Sequence, residues 1–149
     1  MDVLDYLGQA TKSLFRFEAL QIYNITEENL DDDSSMEDWW QFVKEKTSHG
    51  VMMQRVRFVK EPETSYIQRE LETHKKTALF GDNIYVLKDK DWRQVISKDF
   101  WIIDDKLVLI MNYSDMGEYL DFEVVKEVGT YRALKEQLLK HSSPLVTTN

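Results

Sequence analysis

The 149-residue chain has no cysteine, only two prolines and five glycines, and three histidines. Without thiols it has no disulfide framework, no cysteine nucleophile and no thiolate metal site. The scarcity of glycine and proline excludes collagen-like and low-complexity chains. No Gly-rich phosphate loop occurs, because Gly81 and Gly117 are isolated turn glycines. His49, His74 and His141 share no metal-ligand spacing, which argues against zinc. No apolar run approaches the roughly 20 residues of a membrane-spanning helix. The N-terminal residues Met1 to Asp5 lack a basic region followed by an apolar one. These absences lead to the expectation of a cytoplasmic protein with no cofactor, no metal and no membrane partner.

What is present suits one ordinary domain: 42% of residues are hydrophobic and 12% aromatic, enough for a core without staples. The net charge of −8 is unevenly spread. Residues 1–50 carry 11 acidic against 4 basic side chains, residues 51–93 carry 7 against 9, and residues 94–149 carry 9 against 6. Affinity for phosphate backbones comes largely from Lys and Arg, so direct nucleic-acid binding is not expected. The basic residues Arg55, Arg57, Lys60, Arg69, Lys75 and Lys76 of the middle segment read first as a solvated face balancing nearby glutamates. An anion site is the alternative. The run Glu27 to Asp33 reads as an acidic loop before a helix.

Met36, Trp39, Trp40 and Val43 fall at i, i+3, i+4 and i+7, one apolar stripe of a helix that a Ser34–Glu37 capping box would open and Gly50 would close. Val51 to Val59 reads as a strand with Arg55 and Arg57 on one side and Val56 and Phe58 on the other. A second helix is predicted from about Glu63 to Leu79, with Ile67, Leu71, His74 and Ala78 on its stripe. Ile84–Leu87 is a short strand. Phe100–Ile103 and Leu107–Met111 should form a hairpin turning at Asp104–Asp105, with Trp101 and Ile103 on the same face. Tyr119–Val125 is a further strand, and a last helix carries Tyr131, Leu134 and Leu138. The expected organisation is an N-terminal helix and extended wrap with an acidic loop over 1–33, a single α/β domain over 34–141 and a flexible tail over 142–149. Its fold class is α/β, with a mixed, mostly antiparallel sheet of about five strands covered by helices.

Gly50-Val51 with Arg55 and Arg57, Ser65-Tyr66 with Glu70, Gly81, the box Asp99-Phe100-Trp101-Ile102-Ile103-Asp104 and Tyr131–Leu134 occur in that order. Phe15–Glu18 and Tyr23 precede them. This set resembles a family of small bacterial proteins of unknown function. The layout also resembles half of a phospholipase D-like sandwich, whose motif H-x-K-x4-D implies phosphodiester chemistry. With Asp104 as the motif Asp, its His position holds Ser97 and its Lys position Asp99, so the resemblance implies the fold without the chemistry. His74-Lys75-Lys76 is followed by Asp82 one residue too late for the motif.

The candidate polar pocket is Arg55, Arg57, Tyr66, Arg69, Glu70 and His74. Tyr66 and Glu70 are four residues apart on one helical face. A Glu–Arg pair holding helix to strand is the preferred reading, and recognition of a small anion or peptide terminus is the alternative. His74 reads as a hydrogen-bonded core histidine ahead of a general base. Trp39 and Trp40 diverge on their helix, so one of them is a candidate interface anchor. Asp99, Phe100, Trp101 and Asp104 form the signature box. No catalytic residue is identified. The functional expectation is a non-catalytic interaction or regulatory module with a protein partner, such as a DNA-binding regulator. The alternative is a phosphodiesterase or nuclease completing its site as a homodimer.

Overall fold

The computed structural model describes residues 1–21, 36–92 and 98–146. The acidic run 27–33, Tyr23, Ser34 and Ser97 lie outside them. Asp2 opens the first helix, α1 (Val3–Gly8), by a reciprocal capping box. Its side chain accepts from the Asp5 amide at 2.8 Å, and the Asp5 side chain accepts from the Asp2 amide at 2.9 Å. Strand β1 (Ser13–Glu18) follows, then helix α2 (Glu37–Ser48) and β2 (Met52–Val59). Helix α3 (Ser65–Ala78), capped by the Thr64 hydroxyl on the Ile67 amide, leads to β3 (Asn83–Lys88). A short 3₁₀ turn (Asp89–Asp91) precedes β4 (Asp99–Ile103). Then come β5 (Leu107–Tyr113), β6 (Tyr119–Val125), helix α4 (Gly129–His141) and the two-residue β7 (Ser143–Pro144).

The seven strands form one open mixed sheet in the order β6-β5-β4-β1-β2-β3-β7. Strands β1, β2 and β3 are mutually parallel, and the other pairings are antiparallel. Parallel neighbours need crossovers. Helix α2 supplies one between β1 and β2, and α3 supplies the next between β2 and β3. The chain then returns to the far side of β1 for the β4-β5-β6 meander. Helix α4 carries it back so that β7 pairs with β3 at the opposite edge.

Alternation within each strand sorts the core into two layers. Phe15, Phe17, Val56, Leu87, Phe100, Ile102 and Val108 lie on the face that Leu138 of α4 covers. Leu14, Met53, Trp101, Ile103, Leu109 and Met111 lie on the other face, under Leu7 of α1 and Val43 of α2. Helix α3 extends that second layer, with Ile67 and Tyr66 packed beside Val59.

The hairpin forms as its spacing predicts, with Trp101 opposite Leu109 and Ile103 opposite Leu107. Asp104 and Asp105 both take φ of 54°, a left-handed conformation that Asp tolerates, in a three-residue turn closed by the Lys106 amide on the Ile103 carbonyl at 2.9 Å. Gly50 ends α2 at φ 87°. The described start of α2 is Met36, which makes no side-chain cap.

The sheet exceeds the expected five strands by two. Strand β1, expected as a wrap, lies at the centre because its charged residues Arg16 and Glu18 are buried in pairs rather than solvated. Strand β7 is only two residues long, too short for any periodicity to show, and falls where a flexible tail is expected. Among the described residues, no helix is long and apolar enough to cross a membrane.

Candidate functional site

Two neighbouring rows of side chains cross the sheet on the face beneath α2 and α3. In the first, Trp101, Arg16, Arg55 and Ile84 stand side by side on β4, β1, β2 and β3. Two residues further along β1, Glu18 stands beside Arg57, which stands beside Val86. Helix α3 lowers Glu70 and His74, one turn apart, onto this second row.

Arg16 donates to Asp99 Oδ2 at 2.9 Å and to the Tyr113 hydroxyl at 3.2 Å. Asp99 Oδ1 also accepts from the Ala19 amide at 2.8 Å. Arg55 bridges two carboxylates, Glu18 Oε1 at 2.7 Å and Asp82 Oδ2 at 3.3 Å. Arg57 Nε meets Glu70 Oε1 at 2.5 Å, its Nη1 donates to the Glu18 carbonyl at 3.0 Å, and its Nη2 donates to the Leu20 carbonyl. His74 Nε2 lies 3.2 Å from Glu18 Oε1 and 3.5 Å from Glu70 Oε1, placed as an ion pair rather than an aligned hydrogen bond.

Like charges side by side, as Arg16 and Arg55 are, oppose sheet pairing. Here Trp101 sits under both, with Cζ-to-ring distances of 5.2 and 5.5 Å, and Trp39 of α2 lies 5.8 Å from Arg55. The ring faces and separate carboxylates offset the repulsion. Arg16, Glu18, Arg55, Arg57, His74, Asp82 and Asp99 are all buried.

Burial alone would push the Glu18 carboxyl up, but Arg55, His74 and Arg57 together hold it well below its usual range. Burial would likewise drive the proton off His74, yet Glu18 and Glu70 outweigh it and raise the imidazolium to about 9. Arg55 is held still more firmly protonated by Glu18 and Asp82, against burial and the neighbouring Arg16. With His74 charged, four cations (Arg16, Arg55, Arg57, His74) face four anions (Glu18, Glu70, Asp82, Asp99).

Glu18, Glu70 and His74 each present a ligand atom within 4.8 Å of the others, a geometry that would suit a metal ion. The electrostatics do not. Both carboxylates already hold guanidinium groups, so an ion there would have to compete with Arg55 and Arg57 and displace the proton that Glu18 and Glu70 favour on His74.

Of the residues singled out from sequence, Arg55, Arg57, Glu70 and His74 meet in this network. Tyr66 is instead buried with Val59 and Ile67, and Arg69 lies on the exposed side of α3. The tryptophans on α2 are both engaged in packing. Trp39 stacks on Phe42, while Trp40 stacks on Phe80 and donates to the Thr77 hydroxyl at 2.8 Å. In the signature box Phe100 joins the α4-side core. Asp104 Oδ1 accepts from the amides of Thr11, Lys12 and Ser13 at 3.1, 2.7 and 3.0 Å, tying the hairpin to the start of β1.

Arg16, Glu18 and Asp82 join the network from outside the pocket that the sequence pattern marks. The alternation Phe15-Arg16-Phe17-Glu18 was the available signal for a strand with one charged face.

The arrangement defines a class: an α/β protein with an open seven-stranded mixed sheet and a neutralised ion-pair network sealed between sheet and helices. The chain belongs to the family described as a domain of unknown function (DUF6879), whose profile matches residues 1–147. No curated protein matches the sequence.

Proposed function

We propose that the chain is a non-catalytic interaction module that docks a basic protein segment along its edge strand β6. The carrying observation is apolar exposure along this edge. Met116 is 75% exposed, Tyr119 50% and Leu120 60%, with Val124 further along and Leu4 of α1 alongside. An edge strand with exposed apolar side chains is a template for strand addition, and contiguous apolar surface marks interaction sites. Asp2 lines the groove beside Leu4 and Tyr119, and Glu118, Asp121 and Glu123 lie on or next to β6, in a chain of net −8. That charge favours a basic partner, such as a DNA-binding regulator, met in the cytoplasm.

The non-catalytic part of the reading rests on the ion-pair network. Within that network Glu18, Glu70, Asp82, Asp99 and His74 each face an opposite charge. Asp104 ends a central strand before a turn, as the motif Asp of a phospholipase D-like half-domain would, and this supports a phospholipase D-like sandwich as a finer description of the fold. Its carboxylate is spent on three backbone amides, however, which argues against a phosphodiesterase or nuclease completed by dimerisation.

A photo-crosslinking residue at Leu120, compared with one at exposed Lys140 on α4, tests the docking surface in cells. A discrete adduct at Leu120 alone is expected. The adduct partner, made recombinantly, should bind the chain with an affinity that falls as salt rises and is lost in Val124→Asp. Identical adducts at both positions would overturn the docking reading. Turnover of bis-p-nitrophenyl phosphate that disappears in His74→Ala would overturn the non-catalytic one.

A further inference from the structure

Strand β6 is the outermost strand of the sheet, and among the described residues it pairs only with β5. Its two faces differ in chemistry. Phe122 stands opposite Met111 and Val124 opposite Leu109, residues of the core layer beneath α1 and α2. Phe122 meets Tyr6 of α1 edge to face, with ring centroids 5.8 Å apart, and Val124 continues the row with 40% of its surface exposed. Asp121 and Glu123 stand opposite Asn112 and Ile110, on the other face of the sheet, the one to which α4 belongs. The irregularity beside Asn112 and Tyr113 makes Leu120 the extra residue of β6, so strict alternation begins at Asp121.

Both carboxylates of this second row are exposed. Asp121 accepts from Asn112 Nδ2 at 2.7 Å, and Lys98 donates to Asn112 Oδ1 at 2.8 Å. Among the described residues neither Asp121 nor Glu123 forms an ion pair, so the row keeps its negative charge. A strand added to β6 takes up the same pleat. Its side chains alternate between the two faces, and each lies on the same face as its cross-strand neighbour. Every second residue of the added strand therefore meets Phe122 and Val124, and the residues between them meet Asp121 and Glu123. Apolar pairs are favourable in the first row, and opposite charges in the second.

We propose that the segment docked on β6 is itself a strand in which apolar and basic residues alternate, the apolar row against Phe122 and Val124 and the basic row against Asp121 and Glu123. This inference rests on the docking reading above and narrows the partner. A basic helix, or a tail with its charges in a block, would satisfy the negative charge but not both faces at once. The alternation reads the same in either chain direction, so a parallel and an antiparallel occupant share it.

The probes are short peptides with blocked ends: valine and lysine in alternation, the same composition grouped in blocks, and valine and glutamate in alternation. In proton–nitrogen correlation spectra of the full chain, the alternating valine–lysine peptide should shift the amides of residues 119–125 saturably. It should bind about tenfold tighter than its block-ordered isomer, and the valine–glutamate peptide should give no saturable shift. Glu123→Lys, at an exposed position, should leave melting unchanged and weaken the valine–lysine peptide by several-fold, while letting the valine–glutamate peptide bind. Asp121→Lys should act in the same direction. Equal binding of the alternating and block-ordered peptides at β6 would overturn the alternation and leave docking of a basic segment intact. Indifference of the valine–lysine peptide to the charge at positions 121 and 123 would overturn it as well. So would the absence of a saturable shift from that peptide up to about 1 mM, and the adduct at Leu120 would then report on docking by itself.

Discussion

Arg57 and Glu70 face each other across the gap between the sheet and α3, Nε to Oε1 at 2.5 Å, with the arginine side chain fully covered and the glutamate nearly so. The pair fixes helix to strand at the point where His74 and Glu18 complete the network. Deleting one partner of such a buried pair costs about 3–5 kcal/mol, since the other charge is left uncompensated. Glu70→Ala should therefore lower the melting temperature by roughly 10 °C in a chain of this size. Glu70→Gln should cost less, because the amide keeps the shape and one acceptor. Replacing both partners by apolar residues, Arg57→Met with Glu70→Leu, should recover much of the loss in a double-mutant cycle followed by calorimetry. Additive losses would show that the two side chains are not coupled.

His74 makes stability depend on pH in a definite direction. Its folded value of about 9 lies above the ordinary 6.5, so the folded state holds the proton more tightly. The stabilisation is complete below about 6.5 and is lost as pH rises through 9, an effect on the order of 3 kcal/mol. Glu18 acts in the opposite sense. Its carboxyl is depressed, so its contribution is present above the ordinary 4.5 and is lost as pH falls through its folded value. Urea midpoints measured from pH 6 to 9.5 should fall steadily for the native chain and stay nearly flat for His74→Gln. A parallel fall in both proteins would assign the pH dependence to another group.

Asp104 should matter more to the start of β1 than to the hairpin it belongs to. Three amides, those of Thr11, Lys12 and Ser13, converge on its Oδ1. Its φ of 54° is one that Asp and Asn adopt more readily than Ala. Asp104→Ala is expected to cost about 1–3 kcal/mol and to speed amide exchange at Lys12 and Ser13. Asp104→Asn should retain the turn and part of the amide protection. Unchanged exchange at Lys12 and Ser13 in the alanine variant would refute this tie.

Gly81 is required by two independent features. Its φ is 123°, and a Cβ placed there would lie 2.5 Å from Thr47 Oγ1 and 2.8 Å from Thr47 Cβ. Gly81→Ala should destabilise the chain, and Thr47→Ala in the same protein should restore part of the loss by removing the clash. The remainder belongs to the backbone conformation, which no change at Thr47 relieves. Full recovery in the double variant, measured by thermal melting, would show that the conformation itself costs little.

The sequence by itself determined those features that rest on a local period or a local conformational preference. The i, i+3, i+4, i+7 stripe of Met36, Trp39, Trp40 and Val43 specified α2. The alternation of Arg55 and Arg57 with Val56 and Phe58 specified both β2 and its two faces. Asp104-Asp105 between two apolar runs specified the hairpin. Each of these signals lies within about a dozen residues, where chain geometry alone decides which side chains share a face. Only the tertiary structure decided which faces meet. Glu18, Arg55, Glu70, His74 and Asp82 come from four separate segments. Their pairing depends on two parallel crossovers that bring β1 beside β2 and lower α3 onto both. Read locally, Arg16 and Glu18 look like solvated charges and β1 like a wrap. They are buried because partners far along the chain neutralise them, and no period within β1 records where those partners lie.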